Sequence, residues 1–160
     1  MGSKRLRVYL SGGMEYARNE GADWRNNLGA WITEELGHSV FNPNEESAKY
    51  LRRMLPNDNL RKLKFHDMDR YLKIVRGIVS LDSREIARRT DYVVCLWDKS
   101  AQKGAGTKGE ITLAKFFGKP VFLVTSHKIE SIPGWVLGCV TRRFRSMSEL
   151  KTFLKSEFTK

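Results

Sequence analysis

A chain of 160 residues with 41% hydrophobic and 29% charged side chains has the balance of an ordinary globular domain, which excludes a disordered or low-complexity polymer. Its 29 Lys and Arg against 18 Asp and Glu leave a formal charge of +11, which points to an anionic substrate or partner, or to a solvated basic face, without choosing among phosphorylated metabolites, nucleic acid and acidic protein surfaces. Two cysteines, Cys95 and Cys139, make neither a disulfide framework nor a metal-ligand spacing, so a reducing, cytoplasmic setting is expected, with no metal and no cofactor.

The longest apolar runs are strand-sized, as in Val121–Val124, so no membrane span is expected. The charged start Met1-Gly2-Ser3-Lys4-Arg5 lacks the apolar stretch of a signal peptide. One domain over 1–160 is expected. Arg7-Val8-Tyr9-Leu10 reads as a first strand, stopped by Ser11-Gly12-Gly13. Trp24, Leu28, Trp31 and Ile32 recur at helical spacing and predict an amphipathic helix over 21–36, with Gly37 as its C-cap residue. Ser39-Val40-Phe41 is a short second strand running into a turn, Asn42-Pro43-Asn44.

The tendency over 45–89 is helical, with Leu60, Leu63, Leu72, Val75 and Ile78 on an apolar face and a further short helix starting near Asp82. The near-continuous apolar run over 92–97 suits a central parallel strand covered on both faces. A glycine-rich loop follows, then a helix over 108–117 closed by Gly118, a buried strand over 120–125 and a last helix over 148–158. This alternation predicts an α/β fold, a doubly wound parallel sheet of about five strands with helices on both faces. Ligands of such sheets sit beyond the carboxyl ends of the strands, which selects the loops 11–14, 42–44 and 98–110.

In the third of these loops, Gly104, Gly106 and Gly109 with Thr107 lie between a buried strand and a helix start, where free backbone N–H groups favour an anion. The spacing fits neither a Walker A loop nor a dinucleotide fingerprint. Glu110 has two readings that do not exclude each other. Thr107-Lys108-Gly109-Glu110 has the form of a capping box, and the same carboxylate at a ligand-bearing edge can be catalytic. Asp82 and Asp91 read by default as helix caps and Asp98 as a polar turn residue, although paired carboxylates in one cleft divide acid and nucleophile roles in glycoside-cleaving enzymes. His66 beside Asp67 and Asp69 reads as a solvated helix surface, because adjacent helical residues do not share a face. The basic groups Arg52-Arg53, Arg61-Lys62-Lys64, Arg84-Arg88-Arg89 and Arg142-Arg143-Arg145 match no nucleic-acid-binding motif, and dispersed solvated charge is preferred to nucleic-acid binding.

Taken in order, Val8-Tyr9-Leu10-Ser11-Gly12-Gly13-Met14, Asp82 with Asp91 nine residues on, Asp98, Gly106-Thr107 ahead of Glu110, and Ala114 with Gly118-Lys119-Pro120-Val121 resemble the nucleoside 2-deoxyribosyltransferase superfamily, which includes nucleoside-monophosphate N-glycosidases. The resemblance implies a flavodoxin-like sheet and a homodimer or higher homo-oligomer. It implies that Glu110 attacks or stabilises C1′ of the sugar, that Asp82 protonates the departing base and that Tyr9 orients the glutamate. Ser11 and Gly12 would line the sugar or phosphate pocket, with Gly13, Asp98, Gly104, Gly106 and Thr107 completing the substrate-binding set. Gly104 stands where transferases often carry Asp and monophosphate hydrolases Ser, which leaves hydrolysis and transfer both open. The expected activity is cleavage or transfer of the N-glycosidic bond of a nucleoside or nucleoside 5′-monophosphate. The alternatives are an NAD-cleaving glycohydrolase and a nucleotide-binding sensor without turnover.

Overall fold

Short strands rich in Val, Leu, Tyr and Phe set the frame. In the computed structural model, which describes residues 5–159, β1 (Arg7–Gly12), β2 (Ser39–Phe41), β3 (Tyr92–Leu96), β4 (Val121–Val124) and β5 (Arg142–Phe144) form one sheet. Its order is β2-β1-β3-β4-β5 and every neighbouring pair is parallel. This is the flavodoxin-like arrangement, with its topological switch between β1 and β3. The expectation of no signal peptide falls in part on residues 1–4, outside the described residues.

Side chains alternate across a strand, and that alternation sorts the interior into two layers. Val8, Leu10, Tyr92 and Val94 pack with Leu28 and Ile32 of α1 (Ala22–Leu36) and with Leu150 and Leu154 of α8 (Met147–Phe158). Tyr9, Val93 and Cys95 face the other way, toward Ile86 of α4 (Met68–Arg88) and Ile111 and Ala114 of α6 (Gly106–Phe116). A third apolar cluster, Leu55, Leu63 and Ile74, ties α2 (Pro43–Met54) and α3 (Leu60–His66) to α4. Among the described residues no helix is long and apolar enough to cross a membrane.

Helix α1 matches the expected stripe, and Gly37 closes it at φ +66°, donating its N–H to the Thr33 carbonyl. The expected turn over Asn42-Pro43-Asn44 is instead a helix start. The Asn42 side chain accepts from the Asn44 N–H and Pro43 takes the first helical position, where its missing N–H costs nothing. Asp67, beside His66, caps α4 by accepting from the Arg70 N–H.

Asp82 is neither an N-cap nor a helix start. Helix α4 runs unbroken through it, because nothing between 78 and 88 is Gly or Pro and one apolar face continues to Ile86. Gly77 does not break the helix either. A Cβ there would lie 1.9 Å from the Tyr50 hydroxyl, so the glycine lets α2 pack against α4.

The basic group at 142–145 is in part the edge strand β5, with Arg142 and Arg143 exposed, Phe144 buried, and the Arg142 guanidinium 4.4 Å from the Phe153 ring centroid. Charge on an edge strand discourages pairing with another chain. Two short helices, α5 (Lys99–Lys103) and α7 (Gly134–Cys139), complete the fold.

Candidate active site

The period of a strand puts Tyr9 and Ser11 on one side of β1, the side that faces α6. Glu110 comes from the second turn of α6 and meets both. The Tyr9 hydroxyl donates to Oε1 at 2.9 Å and the Ser11 hydroxyl to Oε2 at 2.5 Å. Tyr9 is itself held, its ring stacked on Phe41 with centroids 5.2 Å apart. The capping-box reading of Glu110 is therefore corrected. Helix α6 starts two residues earlier than a Thr107 cap requires, Ala105 makes no side-chain cap bond, and Thr107 is buried within the first turn. Two hydroxyls on a central strand give the carboxylate two donors, where a capping box offers it one backbone N–H.

Asp82, on α4, is the second carboxyl of the site. It is half-buried, and its Oδ1 is buried with no hydrogen-bond partner. Burial first, and the charge of Glu110 second, push its pKa up to about 7, against a pull downward from the Tyr9 hydroxyl. Burial also raises the pKa of Glu110, while the hydroxyls of Ser11 and Tyr9 and then the positive charge of Arg25 oppose that rise. Tyr9 stays a phenol, because burial and the carboxylates of Glu110 and Asp82 hold its pKa far above the usual range.

Arg25 was not among the expected site residues. It is buried, and its guanidinium donates to the carbonyls of Leu10 and Gly12 at the end of β1. One signal for it was present. Arg25, Leu28 and Ile32 stand at i, i+3 and i+7, so a charge occupies the apolar stripe of α1.

The remaining expected residues divide. At Gly13 a Cβ would lie 2.0 Å from the Ser100 hydroxyl and 2.8 Å from the Ala101 nitrogen, so glycine is required where β1 passes the start of α5. Asp98 caps α5, accepting from the N–H groups of Ser100 and Ala101 and from the Ser100 hydroxyl. The expected glycine-rich loop is mostly helical: α5 takes its first half, Gly104 ends α5, and Gly106 opens α6. The local reason is that Asp98 makes a better N-cap than a turn residue. Asp91 accepts a hydrogen bond from the Arg7 N–H at 2.8 Å and so ties the start of β3 to β1 instead of capping α4.

Two cavities open beside these groups. One of about 540 Å³ is lined by Asp82 with Tyr16, Tyr71, Phe65, Arg61 and Lys64 among others. One of about 490 Å³ is lined by Gly13, Asp98, Ser100, Trp24 and His127 among others, and Tyr16 forms part of both walls. Tyr9, Ser11, Gly12, Gly104, Gly106, Thr107 and Glu110 line neither.

No family model matches this sequence, and no curated protein does. Solved structures match it in shape. The CMP N-glycosidase BcmB of Clostridium botulinum superposes with a TM-score of 0.55 over 94% of this chain and 98% of that one, at 18% identity. The likeness is one of fold.

Chemically, the arrangement gives two carboxyl groups different surroundings, although burial raises the pKa of both. Glu110 is gripped by hydroxyl donors that favour its anion, whereas Asp82 has a buried, unbonded oxygen that favours its acid form. Two carboxyl groups in unlike surroundings are an arrangement able to divide the roles of base or nucleophile and acid.

Proposed function

We propose that this chain breaks the N-glycosidic bond of a nucleoside or nucleoside 5′-phosphate, with Glu110 at C1′ of the sugar and Asp82 as the proton donor to the departing base. The observation that carries the reading is the double grip of Tyr9 and Ser11 on Glu110 beside a protonatable carboxyl. As the C1′–N bond breaks, its electron pair leaves with the base nitrogen and the sugar becomes oxocarbenium-like. The Glu110 carboxylate stabilises or traps that carbon. The Asp82 proton neutralises the leaving base, which departs poorly as an anion. Water or a second base then attacks C1′, giving its proton to the Asp82 carboxylate as any bond between C1′ and Glu110 breaks, and so completes hydrolysis or transfer. The fold neighbour is a CMP N-glycosidase, which supports this bond as the target, and the charge of +11 favours a phosphorylated substrate.

Incubation with a panel of nucleosides, nucleoside 5′-phosphates and NAD, followed by chromatography of the free base, tests the reading. The expected result is release of a nucleobase, faster from phosphorylated substrates. Release from unphosphorylated nucleosides alone counts against the phosphate preference, and nicotinamide as the sole product moves the assignment to an NAD-cleaving enzyme. Glu110→Gln is expected to lower turnover by about 1,000-fold or more while melting within a few degrees of the parent. The neutral amide avoids the burial cost that raises the Glu110 pKa and still meets both hydroxyls. An active Glu110→Gln protein sinks the proposal.

A further inference from the structure

Arg25 is 1% exposed, and none of the ion pairs among the described residues involves it. A guanidinium buried without a contacting carboxylate is costly unless polar groups satisfy it. Here they do. Nε donates to the Leu10 carbonyl at 3.1 Å, Nη2 to the Gly12 carbonyl at 2.7 Å, and Nη1 reaches the Gly21 and Glu20 carbonyls and the Asn44 side chain at 3.0–3.2 Å. Leu10 and Gly12 flank Ser11, whose hydroxyl holds Glu110. The second end of the fork grips a turn in which Asn19, Glu20 and Gly21 all have positive φ, a conformation that needs an external hold at the two residues that are not glycine.

We propose that Arg25 is a positioning residue for Glu110: its guanidinium fixes the carbonyls on either side of Ser11 and supplies the interior positive charge that answers the Glu110 carboxylate. The proposal rests on Glu110 as the reacting carboxylate. The groups that face Glu110 are Tyr9 and Ser11 from β1, the Cys95 thiol from β3, Asp82 from α4 and Arg25 from α1. Arg25 brings the positive charge of this set, and that charge lowers the proton affinity of Glu110 where burial raises it. A lysine keeps a charge but cannot span carbonyls in several directions, so the two contributions are separable.

The test compares Arg25→Lys, Arg25→Gln and, as a control for loss of one exposed charge, Arg143→Gln. The readouts are the pH dependence of kcat/KM for base release and an NMR titration of carboxyl-labelled Glu110, assigned by its loss in Glu110→Gln. Arg25→Gln is expected to raise the Glu110 midpoint and the acidic limb together by about one pH unit or more. Arg25→Lys is expected to leave the midpoint near its place while lowering kcat about 10- to 100-fold with KM little changed. Arg143→Gln should move neither. A folded Arg25→Gln protein whose Glu110 midpoint and kcat equal the parent's overturns the proposal, as does failure of both Arg25 variants to fold. If the parent releases no base from any substrate, the functional reading falls, and the NMR titration still decides whether Arg25 sets the charge state of Glu110.

Discussion

Asp82 shows how one side chain links stability to chemistry. Its pKa is about 7 in the fold against an ordinary 3.8, so between pH 4 and 7 the folded protein keeps a proton that the unfolded chain has lost. Stability therefore falls as pH rises through that window, and the cost is complete above it. Asp82→Asn removes the cost and is expected to stabilise the protein at pH 8 by on the order of 2 kcal/mol, discounted for solvent at a half-buried group, and to have little effect near pH 4. Melting curves at the two pH values check this, and an equal gain at both points to another cause. Base release by the parent should decline above about pH 7 as Asp82 loses its proton, and Asp82→Asn should lose most activity at every pH. Tyr9→Phe acts on the other carboxyl. Removal of one of its two hydroxyl donors is expected to slow turnover about 10- to 100-fold and to raise the acidic limb of the pH profile, at a stability cost of about 1 kcal/mol.

At the scale of elements, the end of β1 and the start of α5 touch too closely for any side chain at Gly13. A Cβ there meets the Ser100 hydroxyl, already bonded to Asp98, and the Ala101 backbone, so neither neighbour moves cheaply. Gly13→Ala is expected to cost about 1–3 kcal/mol and to lower activity as well, because the displaced strand end carries Ser11. Gly106 is the contrasting case. A Cβ there meets nothing within 4 Å and its φ is not positive, so Gly106→Ala should gain about 0.5–1 kcal/mol. Chemical denaturation of the two variants side by side measures both signs. If Gly106→Ala is stable but inactive, a substrate group approaches that backbone.

The whole molecule adds a field that no single residue supplies. With a net charge of +11, the surface potential should draw in phosphorylated substrates. Raising the salt concentration from 50 to 500 mM (about a threefold shorter screening length) is expected to increase KM for a nucleoside 5′-phosphate several-fold while leaving kcat nearly unchanged. A KM insensitive to salt shows that the charge serves solubility alone.

Much of the frame was legible in the residues themselves. β-Branched and aromatic runs marked β1 to β4, the spacing of Leu28, Trp31 and Ile32 marked α1, and the alternation of strand and helix predicted the parallel sheet, because these are local or nearest-neighbour preferences. The last strand was hidden because two of its three residues are arginines that serve an edge. The capping motifs show the limit most clearly. Thr107-x-x-Glu110 and Ser146-x-x-Glu149 have the same form, yet only the second caps a helix: Ser146 accepts from the Glu149 N–H, and the Glu149 carboxylate returns to the Arg145 N–H. What diverts Glu110 lies on β1, about a hundred residues earlier, where the sheet register presents Tyr9 and Ser11 to α6. Local pattern determined which elements form. Which side chains meet, which carboxyl is dry and where a buried arginine finds its carbonyls were decided only when distant segments packed, because burial and charge coupling depend on neighbours in space and not along the chain.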